Sequence, residues 1–167
     1  MKFHRPNRRC GRLALATVFL SLGTAVAQIP AFPGAEGFGA HANGGRGGDV
    51  YYVTNLNSSG AGSLLYGIDN APSSGRTIVF AVSGYIPIAN NSHLGNKTLR
   101  LVKNKITIAG QTAPGDGIGL KDGRILLTGN NQILSNFRIR HGKNGGAGDC
   151  LNVDSSAHDS IIRNISM

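Results

Sequence analysis

Few side chains in this sequence combine the type and spacing that chemistry requires. His41, His93, His141 and His158 stand far apart and have no cysteine companions, so they do not read as a zinc site. The run Gly44-Gly45-Arg46-Gly47-Gly48-Asp49 has the glycine density of a phosphate-cradling loop. It precedes a strand-like run and lacks the Gly-Lys-Ser/Thr ending, so a tight glycine turn is the better reading. Asp116 and Asp122 flank the apolar Ile118 and Leu120 and read as turn residues rather than as a hydrolytic acid pair. No two acids stand two residues apart, the spacing that would put a glycosidase pair on one face of a strand. Asp149 and Asp154 stand five residues apart on either side of an apolar run. On one continuous strand they face opposite ways and meet only across a bend. Beyond residue 27 the bases are scattered apart from Arg138, Arg140 and Lys143, and Arg138 and Arg140 read as solvated or substrate-facing side chains on outward strand positions.

These residues must be held by strands. From Val50 onward the apolar residues come in short β-branched runs separated by Gly, Asn, Asp and Ser: Val50–Val53, Thr77–Val82, Ile106–Ile108, Ile125–Leu127, Gln132–Ile139 and Ser160–Ile165. A single helix is expected over Ser63–Asp69. The runs recur. Ile78, Ile106, Ile133 and Ile161 are 28, 27 and 28 residues apart, and Leu99, Leu126 and Val153 are 27 and 27 apart. Two series with one period argue for a coil repeated along an axis, and a turn of this length is too short for a β-α-β unit. The architecture expected is all-β, a parallel β-helix. A β-sandwich is the alternative, with strands every 8–12 residues and no longer period. Gly and Asn suit the left-handed corners of such a coil, and Asn136 and Asn164 fall 28 apart as stacked corner residues should. The region up to about residue 75 is expected to cap one end. The other end stops on Ser160–Met167, strand-like to its last residue, which predicts a column incomplete at its C-terminal end and the front part of a longer protein.

The 167 residues allow one ordinary domain, and at 15% charged and 40% hydrophobic the chain is too apolar to be disordered. The 25 glycines show no three-residue period, which excludes collagen. The net charge of +9 suggests nucleic acid until its source is located. Lys2, Arg5, Arg8, Arg9 and Arg12 precede an apolar run, Leu13–Leu22, and then Ala25-Val26-Ala27, the pattern of a secretory signal with a peptidase site. Residues 1–27 are therefore expected to be removed and 28–167 to form the folded domain. Without those five bases, 12 remain against 8 acids, a net of +4 that suits a polyanionic substrate as well as DNA. Aromatic residues do not interleave with the bases, which demotes nucleic acid, and no permanent membrane anchor is expected. The mature chain keeps one thiol, Cys150, which cannot form an intrachain disulfide and reads as a packing residue. Asn57, Asn90, Asn96 and Asn164 head glycosylation sequons.

The segments AFPGAEGFGA (31–40), GGRGGDVYYVTNLNSSGAGSL (44–64), AGQTAPGDGI (109–118) and GNNQILSNFRIRHG (129–142) resemble, in order, secreted pectate lyases of polysaccharide lyase family 1. The resemblance covers about residues 31–167 and implies a right-handed parallel β-helix. It also implies secretion, a monomer, and calcium-dependent cleavage of polygalacturonate (pectin) by β-elimination, in which the C5 proton is removed and the C4 oxygen leaves. A divalent ion held by carboxylates would neutralise the uronate and stabilise the developing enediolate. In this family an arginine acts as the base. Asp149, within GGAGDCLNVD (145–154), matches an acidic calcium-ligand position, and Asp154 joins the site only across a bend. Many members carry a second acid where this chain has Ala147, an arginine where it has Leu65, and Asp-His or Asp-Asn where it has Arg163-Asn164. Neither Arg138 nor Arg140 matches the family's basic arginine. The expectation is a pectate lyase-like fragment without the catalytic arginine, inactive alone, or else a non-catalytic shortened β-helix that holds acidic polysaccharide.

Overall fold

A computed structural model describes residue 1 and residues 28–88, 97–145 and 148–167. The expected signal segment lies almost wholly outside the described residues, as do Asn90, His93, Asn96 and Ala147. Among those described, the strands are β1 Asp49–Val53, β2 Arg76–Phe80, β3 Gly84–Pro87, β4 Thr98–Leu101, β5 Ile106–Ala109, β6 Ile118–Lys121, β7 Arg124–Leu127, β8 Ile133–Arg140, β9 Leu151–Val153 and β10 Ile161–Ser166, with one helix, α1, at Leu64–Asp69. All paired strands run parallel.

The strands form three stacks. One contains β1, β2, β5, the first half of β8 and the first half of β10. A second contains β3, β6 and the second half of β8, and the end of β10 follows that half. The third contains β4, β7 and β9. β8 and β10 pass from the first stack to the second through Asn136 and Asn164, both left-handed at φ 54° and 52°, so the expected asparagine corner exists. A second corner carries its own ladder. The Asn130 amide N–H donates to Asn104 Oδ1 at 2.9 Å, and the His158 N–H donates to Asn130 Oδ1 at 3.1 Å. Coiling through the three stacks in turn gives the right-handed parallel β-helix that the repeat and the resemblance imply.

The coil interval is close to that expected, and Ile161 pairs with Ile133 as the repeat predicts, but the other expected partners do not meet. Ile78 pairs with Ile108 rather than Ile106, Ile108 pairs with Leu134, and Leu134 pairs with Ile162. Likewise Leu99 pairs with Ile125, and Ile125 with Leu151, while Leu126 lies in the row of Arg100 and Asn152. Successive members of the Ile78 column are 30, 26 and 28 residues apart, because turns of different length interrupt the coils. A uniform interval averages over those turns, and a one-residue slip exchanges inward for outward side chains. Ile78, Ile108 and Leu134 are fully buried, whereas Ile162 is half-buried.

One end of the column is closed by β1 and α1. Ser63 caps the helix, its Oγ accepting the Tyr66 N–H at 3.2 Å, and Leu64 and Ile68 are buried. Arg76 locks this end. Its Nε and Nη2 donate to the two Asp49 oxygens at 2.8 and 2.6 Å, and its Nη1 donates to the Gly67 carbonyl at 2.8 Å. Residues 28–48 depart from the expected cap and run along the outer flank of the first stack. Gly45 N–H donates to Thr107 Oγ1 at 2.9 Å, and Asn43 N–H donates to Asn131 Oδ1 at 3.1 Å. A side chain at Gly45 would strike the Arg76 backbone and one at Gly48 the Gly75 carbonyl. The glycine run thus makes the expected tight turns, with Gly48 N–H on Gly45 O at 3.0 Å, and also lets the segment lie against the coils.

Candidate functional site

The β4-β7-β9 stack carries Asp149. After the helical turn Lys143–Gly145 the chain returns toward β9, and the Ile125 N–H donates to the Cys150 carbonyl at 2.9 Å. That bond pins the residue following Asp149 to β7, so the exposed Asp149 stands at the start of β9. Asn152 Nδ2 donates to Asp149 Oδ2 at 3.2 Å and steadies the carboxylate. Asn152 was not singled out by sequence reasoning. Its signal was available in its place between Leu151 and Val153, a polar residue on the alternate face of a short apolar strand. In register it continues the row Arg100, Leu126, Asn152.

Asp154 lies at the other end of β9 and does a different task. Its N–H donates to the Leu127 carbonyl at 2.9 Å, and its Oδ1 accepts the Ser156 N–H at 3.0 Å and the Ser156 hydroxyl at 2.8 Å. The bond from the Ser156 backbone, then its hydroxyl and the positive charge of Arg100, hold the Asp154 carboxyl below its ordinary value against a small opposing effect of burial. Asp149 and Asp154 therefore bracket β9 rather than converge.

The remaining candidates occupy structural places. Arg138 lies over the Tyr85 ring at 5.0 Å, and Arg140 donates to the Ser166 carbonyl and hydroxyl at 3.0 and 2.9 Å. Both are on outward strand positions, as expected. Asp122 is a left-handed turn residue at φ 58°, and Asp116 is exposed in the turn before β6. His158 Nδ1 and Asp159 Oδ2 are 2.8 Å apart and exposed. Cys150 is a free, half-buried thiol packed against the core, and Leu65 also packs there. Asn57 and Asn164 are exposed.

Calcium takes six to eight oxygen ligands, carboxylates among them. Asp149 fits as one such ligand, being exposed and carboxylate-bearing. Among the described residues, however, no three His, Cys, Asp or Glu side chains gather in one place. The described residues thus offer one exposed carboxylate at this place and not a complete calcium cage.

Comparison with known proteins places this geometry in context. The chain is similar to a protein described as probable pectate lyase C of Aspergillus fumigatus, 47% identical over 131 residues, which is 77% of this chain and 29% of that protein. It is 47% identical over 125 residues to the probable pectate lyase C of Neosartorya fischeri, covering 74% of this chain and 27% of the relative. Against that of Aspergillus terreus it is 45% identical over 139 residues, 82% of this chain and 30% of the relative. The chain thus spans less than a third of the length of these curated relatives. No protein-family model matches it. Among the described residues no helix is long and apolar enough to cross a membrane.

Proposed function

We propose, from the premise that this chain belongs to the pectate lyase family (polysaccharide lyase family 1), that it grips polygalacturonate through calcium as part of a β-eliminating lyase. The observation that carries this reading is Asp149, exposed and steadied by Asn152 at the head of β9, at the position the resemblance assigns to a calcium ligand. When bound, the ion would neutralise the uronate carboxylate beside the C5 proton that β-elimination removes. This chain's own residues supply the rest of the local geometry. Asn152 orients the Asp149 carboxylate, the pinned Cys150 carbonyl fixes where it stands, and Asp154 holds the turn that follows the strand. We assign the proton-abstracting base to neither Arg138 nor Arg140, since they are engaged with Tyr85 and Ser166. Secretion after cleavage at Ala27, and action as a monomer, belong to the same reading.

The second reading, a β-helix that holds acidic polysaccharide without cutting it, is favoured by the single carboxylate at the head of β9. One experiment tests the calcium grip and the lack of cutting by this chain together. Retention of the chain on immobilised polygalacturonate is measured with calcium and with a chelator, alongside the ultraviolet absorbance of unsaturated product. Retention that calcium strengthens is expected, without product from residues 1–167 alone. Product from this chain would contradict the expectation that it lacks the catalytic arginine, and retention indifferent to the chelator would contradict the calcium grip.

A further inference from the structure

On a different stack from Asp149, a half-open cavity of about 420 Å3 lies between the flanking segment 28–48 and the outward side chains of β2, β5, β8 and β10. That volume is within the range of small-molecule sites. Its lining contains two arginines and no carboxylate. Arg46, from the flanking segment, donates from Nη2 to the Pro30 and Ala31 carbonyls at 2.9 and 3.2 Å. Those acceptors are neutral, so they fix the guanidinium without cancelling its charge. Arg163, from β10, lies 4.1 Å from the centre of the Phe32 ring, a stacking contact that likewise orients the cation and leaves its charge in place. The exposed amides of Gln111 and Asn136 and that of Asn43 surround the two cations. The Ser135 hydroxyl donates to Gln111 Oε1 at 2.9 Å, which turns the oxygen of that amide inward and leaves its NH2 end as the group to be offered.

We propose that this cavity is a second site that takes a carboxylate-bearing sugar unit of an acidic polysaccharide without metal. A guanidinium matches a carboxylate through two parallel charge-assisted hydrogen bonds, and side-chain amides match sugar hydroxyls. The two arginines come from opposite walls, one from the flanking segment and one from the last strand, so a bound carboxylate would tie those walls together. The anion chemistry follows from the lining alone. The choice of a uronate chain rests on the pectate lyase reading above.

The test is calorimetric titration of the full chain with trigalacturonate in excess chelator. Binding is expected to persist there, to weaken as salt rises, and to fall about tenfold or more in Arg163→Gln. Because Arg163→Gln also removes the contact with Phe32, its fold is checked by circular dichroism. Gln111→Leu, at an exposed position, serves as the second variant and is expected to weaken binding in the same direction. A neutral galactose trisaccharide should not bind. No binding by the parent chain in chelator, or equal binding by both variants, would overturn the site, and binding of inorganic phosphate without trigalacturonate would overturn the sugar assignment. Failure of the calcium reading shows separately, as an Asp149→Asn variant that keeps its full calcium response whatever the cavity does.

Discussion

The middle coils and the last coil are made of the same kinds of residue yet differ in burial. In the first stack Ile78, Ile108 and Leu134 are sealed between neighbours, whereas Ile162 in the same column is half-buried and Val153 at the edge of β9 is 52% exposed. The sequences of β8 and β10, ILSNFRIR and IIRNIS, are alike enough that propensity cannot explain the contrast. A coil buries its inward residues only where another coil lies on each side. Both functional candidates, Asp149 and Arg163, belong to the lightly covered coil, and the residues that hold the column together lie elsewhere.

This contrast can be tested by cutting the same amount of side chain at two heights. Leu134→Ala should cost about 3 kcal/mol, since it opens a cavity in a packed interior. Ile162→Ala, one coil further along the same column, should cost about 1 kcal/mol because much of its surface is already in water. Urea unfolding of both variants measures the gap, and equal losses would mean that the last coil is covered as well as the middle ones. The flank offers a second test. Gly45→Val forces a side chain against the Arg76 backbone and should cost about 2 kcal/mol by overpacking. If urea unfolding finds it neutral, the flanking segment does not lie tightly on the coils.

The smallest effect is expected at the closed end. Hydrogen bonding from Arg76, helped by its charge, holds Asp49 below the ordinary carboxylate value against the opposing effect of burial. A carboxyl whose folded value is depressed adds stability above its unfolded value of 3.8, and that stability disappears as pH falls through the folded value. Acid titration of the unfolding midpoint should therefore show a loss below about pH 4 that Asp49→Asn largely removes. Asp49 is about half exposed, so solvent screening limits the cost of Asp49→Asn at neutral pH to about 1 kcal/mol. An unchanged acid limb in the variant would show that the pair is not coupled to folding.

The architecture was legible because β-branched runs, polar corners and a recurring interval are properties of local sequence. The asparagine corner at Asn136 and Asn164 and the helix capped by Ser63 could be read directly. Register could not, since turns of unequal length move the Ile78 column by two residues at one coil and compensate at the next. β3 and β6 were not among the expected runs, and β4 and β9 entered only through Leu99 and Val153 of the repeat, because three or four residues carry little periodicity of their own. β6 is interrupted by Gly119, which allows the close approach of Tyr85 and Arg138. At the site, Asp149 was reached through resemblance rather than spacing. The part played by Asp154 in its turn depends on Ser156, and the sharing of one cavity by Arg46 and Arg163 depends on where residues 28–48 lie. Both are tertiary facts without a sequence period.

The account rests most directly on the carboxylate at the head of β9. A calcium titration of polygalacturonate binding by the full chain, compared with Asp149→Asn, puts that claim to a single number. The variant should need roughly tenfold more calcium or greater for half-maximal binding while unfolding at the same urea concentration as the parent. Superimposable calcium curves would contradict the claim and remove Asp149 from the site.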